Sequence, residues 1–101
     1  PVQVEITPGR IELSYPEAQG NFWPAAFNGY VLHFKGDCLV FSEARIDLAE
    51  TTMPIRPEAV YRSGNALYIN VSGLDYGPKA KLALDLAVTD CPISCRSGCR
   101  W

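Results

Sequence analysis

Histidine occurs once in this chain of 101 residues, as His33, and methionine once, as Met53. A single imidazole rules out multi-histidine metal centres and leaves one position for a histidine base. Such a base needs an orienting carboxylate and a nucleophile, and no spacing here supplies either. His33 alternates with neighbours on a strand pattern and reads as an ordinary strand residue. Excess charge is also lacking: nine Lys and Arg against eleven Asp and Glu leave a net charge of −2. Only Arg62, Arg96 and Arg100 approach a basic cluster, so the chain carries no footprint for nucleic acid.

Other absences narrow the class further. No apolar run nears the roughly 20 residues of a membrane span, and the longest, over 80–88, is broken by Lys81 and Asp85. Asp37, Asp75, Asp85 and Asp90 are dispersed, with no D-x-D-x-D run to gather calcium ligands. Glu43 and Asp47 share a strand face but stand about 13 Å apart at the usual rise. Glycosidase carboxylates want roughly 5–9.5 Å, and Arg45 lies between these two. The expectation is a non-enzymatic protein with no catalytic residue, no cofactor and no metal. Helical periodicity is missing as well. Ser42 to Glu50 has a helical composition, but Thr51-Thr52-Met53-Pro54 ends it and an alternating pattern fits it better.

What is present begins with that alternation. Val2, Val4 and Ile6 alternate with polar residues, then Pro8-Gly9 turns the chain into Ile11, Leu13 and Tyr15. Tyr30, Leu32 and Phe34 follow, and after Gly36-Asp37 come Ala44, Ile46 and Leu48 on one face. Leu39 and Phe41 have the opposite parity, which places a bulge or a change of cover near Ser42. Leu67, Ile69 and Val71 alternate again, and the clearest strand sets Ala80, Leu82, Leu84, Leu86 and Val88 against Lys81, Ala83, Asp85 and Ala87. A seventh short strand fits Val60-Tyr61-Arg62. Runs of period two between Gly, Pro and Asn turns predict an antiparallel all-β domain. With 48% apolar and 20% charged residues the chain makes one domain, 1–101, comprising a sandwich over 1–90 and a cysteine-rich tail over 91–101.

The four cysteines are Cys38, Cys91, Cys95 and Cys99. Three so close together either are oxidised, outside the reducing cytosol, or share a soft metal. The C-x3-C-x3-C spacing makes a poor zinc knuckle, which normally uses C-x2-C, so disulfides are the reading taken. A bond from Cys38 to a tail cysteine would close a long loop and leave the other two to staple the tail, although four cysteines allow three pairings. The chain begins at Pro1, which fits a mature protein after leader removal or a domain of a longer one. Secreted, cell-surface or periplasmic placement is expected. Asn70-Val71-Ser72 matches a glycosylation acceptor, a tripeptide permissive enough to arise by chance.

The stretch from Leu67 to Leu82 contains alternating apolar residues, a Gly73-Leu74-Asp75-Tyr76-Gly77 corner and then the long strand. It resembles the corresponding segment of fibronectin type III and related immunoglobulin-like domains. The resemblance implies an immunoglobulin-like, two-sheet β-sandwich of about seven strands and extracellular display, and implies nothing about a ligand. The tyrosine usual in the long strand after the corner is missing.

A functional expectation rests on aromatics between strands. Tyr15, Phe22, Trp23, Phe27 and Tyr30 cluster around a loop that also holds Asn21 and Asn28. Flat rings with amide donors suit sugar rings, and aromatic loops also anchor proteins. The structural alternative is that Trp23 and Phe27 fold back to close the end of the sandwich. The expected function is an exported binding module recognising a carbohydrate or a protein surface through the 16–28 loop. The alternative is a protein-interaction or structural domain, such as an adhesin, inhibitor or assembly subunit. It would use a sheet edge, or the disulfide-constrained tail with Arg96, Arg100 and Trp101. The expected partner is a glycan or an extracellular protein, without nucleic acid or membrane insertion.

Overall fold

Alternation becomes strand at every place where it is sustained. The computed structural model describes residues 2–7, 9–34 and 39–90, with backbone alone at 39–42 and 88–90. Its strands are β1 Gln3–Thr7, β2 Arg10–Ser14, β3 Gly20–Asn21, β4 Gly29–His33, β5 Leu39–Ile46, β6 Val60–Ser63, β7 Ala66–Asn70, β8 Asp75–Tyr76 and β9 Lys81–Asp90. A 3-10 turn, Pro57–Ala59, precedes β6. Every pairing is antiparallel. A four-stranded sheet runs β1-β2-β9-β5, a three-stranded sheet runs β4-β7-β6, and β3 pairs with β8 alone. The protein is mostly β, built of several antiparallel sheets. The cysteine-rich tail and Cys38 lie outside the described residues.

One apolar cluster joins the two larger sheets. Ile11, Leu13, Leu82 and Leu84 enter it from the four-stranded sheet, and Leu67, Ile69 and Val60 from the three-stranded one. Full burial of each such side chain contributes roughly 1.5–3 kcal/mol before entropy is counted. Turns follow the local chemistry. Gly64 sits at φ +61 in the two-residue Gly64-Asn65 turn, a conformation that glycine adopts without steric cost. That turn pairs Ser63 with Ala66 and so fixes the register of β6 on β7. Gly29 is required for another reason. A Cβ there would collide with the carbonyl oxygen of Ile69. The predicted irregularity near Ser42 is a register shift between Phe41 and Glu43.

Four expectations change in three dimensions. Ala83 was expected on the solvated face of β9 and is 0% exposed. The 47–52 segment runs along that strand: Asp47 donates to the Ala83 carbonyl at 2.8 Å, and Thr51 Oγ1 accepts from the Ala83 amide at 3.0 Å. Glu12, ion-paired with Arg10 and Lys81, stands opposite Ala83 in register and so on the same face as its methyl group. Val4 and Ile6, expected in the core, are 40% and 60% exposed because β1 overhangs it. Leu48, expected on the core face, is also exposed, since β5 ends at Ile46 and a turn follows. Strands β3 and β8 form where no strand was expected, in the aromatic loop and in the 73–77 corner. They form because Phe22 donates to the Leu74 carbonyl at 2.8 Å and Gly73 donates to the Phe22 carbonyl at 3.0 Å.

Candidate functional site

Side-chain amides and a hydroxyl clamp the aromatic loop to the β7–β8 connection. Asn21 Nδ2 donates to Asp75 Oδ1 at 2.8 Å and to the Gly73 carbonyl at 3.2 Å. Ser72 Oγ accepts from the Ala25 amide at 2.7 Å and donates to its carbonyl at 2.8 Å. Asn70 Nδ2 donates to the Ala26 carbonyl at 3.0 Å, while Asn70 Oδ1 accepts from the Asn28 amide at 3.1 Å. Asn28 Nδ2 closes the loop on itself by donating to the Trp23 carbonyl at 2.9 Å. These bonds satisfy backbone groups that no ladder reaches. The Asn70-Val71-Ser72 tripeptide therefore works here as a loop brace.

The seven residues of the expected site divide into three groups. Tyr15 is a core residue, 2% exposed, and Phe22 and Tyr30 pack against the same core. With Tyr76 they form a ring cluster: Phe22 lies 5.9 Å from Tyr15, 6.4 Å from Tyr30 and 4.7 Å from Tyr76. Burial pushes the Tyr15 hydroxyl well above its ordinary pKa, and the contact with Tyr30 adds to the rise. Asn21 and Asn28 are braces, their Nδ2 groups engaged within the protein. Among the aromatic members only Trp23 and Phe27 are exposed, at 81% and 37%, and Asn21 is exposed as well.

Phe27 leads to a surface that the loop-centred expectation missed. Its ring meets Tyr68 edge-on at 5.9 Å, and Tyr68 stacks on Tyr61 at 5.1 Å with planes 2° apart. Val31 pairs with Tyr68 across β4 and β7, and Tyr61 pairs with Tyr68 across β6 and β7. All three project from the face opposite Leu67 and Ile69. The signal was available. Tyr68 lies between two core residues, and the Gly64-Asn65 hairpin sets Tyr61 against it. Beside the braces an open groove of about 450 Å³ runs between the 54–59 segment and Asn70, Ser72 and Leu74. Its charged members, Arg56 and Glu58, pair at 3.6 Å in the open.

The strongest electrostatics lie elsewhere. Arg10 reaches Glu12 at 2.9 Å, Asp85 at 2.7 Å and Asp47 at 3.0 Å, and Lys81 bridges Glu12 and Glu50 at 3.7 and 3.0 Å. The Arg10 guanidinium holds the carboxyls of Glu12 and Asp47 below their ordinary range. The net spans β2, β9 and the 47–50 turn and ties those segments together. His33 is exposed at the end of β4. Among the described residues no three His, Cys, Asp or Glu gather as a metal site.

No family model, curated protein or solved structure matches the chain.

Proposed function

We propose that this chain is an exported, non-enzymatic binding module that docks a protein surface through Trp23 and the neighbouring Phe27. The observation that carries this reading is a large apolar ring, 81% exposed, on a loop held by side-chain hydrogen bonds. Exposing an indole forgoes its hydrophobic burial, and a braced loop loses little entropy when it docks. Tryptophan and tyrosine are also the residues that most often dominate binding energy. A protein surface fits better than a glycan for a chemical reason. Both Nδ2 hydrogens of Asn21 are taken up within the protein, as is one of Asn28, so few amide donors remain for sugar hydroxyls.

The architecture proposed for this module is a two-layer β-sandwich, supported by the one core to which both larger sheets contribute. Its connectivity departs from the immunoglobulin arrangement, which joins strands 1-2-5-4 and 3-6-7. Counting the principal strands β1, β2, β4, β5, β6, β7 and β9 in order, the sheets here join 1-2-7-4 and 3-6-5. The fifth and seventh strands have exchanged places. Oxidised cysteines stapling the tail complete the proposal and accord with an extracellular or periplasmic setting.

Arrays of extracellular proteins and of glycans, probed with the wild type and Trp23→Ala, test the function. The expected result is a protein ligand lost on Trp23→Ala at unchanged melting temperature. Glycan binding, or protein binding indifferent to Trp23, would overturn it.

A further inference from the structure

Among the described residues strand β1 is an edge strand of the four-stranded sheet, and all five of its residues are exposed. Its register on β2 sets Val4 opposite Leu13 and Ile6 opposite Ile11. Directly opposed residues project from the same face, so Val4 and Ile6 lie on the face that carries the core. Leu13 and Ile11 are 1% and 0% exposed there, against 40% and 60% for Val4 and Ile6. The apolar face of the sheet runs past the core into water. On the other face Glu5 stands directly opposite Glu12, a like-charge pair that repels. Glu12 is compensated by Arg10 and Lys81. Among the described residues Glu5 has no cation within ion-pair distance.

Edges are ordinarily guarded by lysine, proline or a bulge. Within Gln3–Thr7 there is no Lys, no Pro and no break in register. We infer that the β1 edge accepts an extended segment of a partner protein as an added strand, one in which a Lys or Arg is flanked on each side by an apolar residue. The cation sits opposite Glu5 and relieves the Glu5–Glu12 repulsion. The two apolar neighbours meet Val4 and Ile6 and prolong the core face, while main-chain hydrogen bonds supply the common part of the affinity. A second copy of this chain is a poorer occupant. Antiparallel self-pairing centred on Glu5 opposes Glu5 to Glu5, and pairing centred on Val4 or Ile6 sets Glu5 against Gln3 or Thr7. None of these registers brings a cation.

The test is a titration of isotope-labelled protein with the peptide acetyl-Ser-Val-Lys-Val-Ser-amide, followed by amide chemical shifts. Saturable shifts should be confined to β1 and β2. Replacing the peptide lysine by glutamate should weaken binding about tenfold or more, and methylating alternate peptide amides should abolish it. Glu5→Lys should reverse the charge preference. Glu5→Gln should erase it, and supplies the same test if Glu5→Lys fails to fold. Trp23→Ala should bind the peptide as the wild type does, which separates this edge from the aromatic loop. Equal binding of the lysine and glutamate peptides, shifts centred on another surface, or dependence on Trp23 would each overturn the assignment. So would β1 signals that broaden with protein concentration in the absence of peptide, which would make a second copy the occupant.

Discussion

The hydroxyls of Tyr15 and Tyr30 meet at 3.0 Å, joining a residue just after β2 to one within β4. The contact links the two larger sheets by a hydrogen bond where the rest of their interface is apolar. Either oxygen can donate, provided that both phenols stay protonated. Tyr15→Phe should cost about 0.5–1.5 kcal/mol in urea unfolding at neutral pH, the usual net value of such a bond. The same variant should be less sensitive to alkali. The folded pKa of Tyr15 is raised, so its stabilising contribution is complete below the ordinary value of 10.0 and declines as pH rises above it. Unfolding free energies measured from about pH 9 to about pH 11 check this. A wild type and variant with parallel profiles would mean that Tyr15 ionises freely in the fold.

Strand β9 should be sensitive on both faces along part of its length. Leu84→Ala removes a fully buried side chain and should cost about 2–5 kcal/mol. Ala83→Leu forces extra volume beneath the charged net and should cost about 1–3 kcal/mol. Asp85→Asn weakens one contact of Arg10 at a half-exposed position and should cost about 0.2–1 kcal/mol. Denaturant midpoints of the three variants decide it. Tolerance of Ala83→Leu would show that the 47–52 segment lifts away readily.

Arg10 should matter at neutral pH and not in acid. It is the main cause of the lowered pKa values of Glu12 and Asp47. A depressed carboxylate stabilises the fold above its ordinary pKa, 4.5 for Glu12 and 3.8 for Asp47, and the benefit disappears as pH falls through the depressed value. Arg10→Met should therefore melt below the wild type at neutral pH and approach it at about pH 2, where both acids are protonated. Because these groups are partly solvated, added salt should narrow the gap too. Melting curves at two pH values and two salt concentrations are sufficient.

All four cysteines should be oxidised in the native protein. Alkylation without reductant should add no mass, and the reduced protein should melt below the oxidised one. Four alkylated thiols, or stoichiometric zinc by elemental analysis, would remove the support for an exported protein.

Much of the fold was legible because a period of two needs only local information. Leu67, Ile69, Leu82 and Leu84 could be placed inside from their spacing, whereas the register of β6 on β7 across the Gly64-Asn65 turn emerged only in the structure. The site was less legible. Five aromatics close in sequence look alike to a pattern reading, yet Tyr15, Phe22 and Tyr30 pack inward while Trp23 projects. That sorting depends on where Asn70 and Ser72 hold the loop, and those residues are more than forty positions away from it.

Alternation alone determined that this chain makes antiparallel strands, and which side chains share a face along each strand. Only the tertiary structure decided which faces are covered, because cover comes from a second sheet or segment distant in sequence. Leu13 and Val4 have the same pattern and the same face, and one is buried while the other meets water. The difference is that Leu13 packs in the cluster shared with Leu67, Ile69 and Val60 of the other sheet, and Val4 does not reach it.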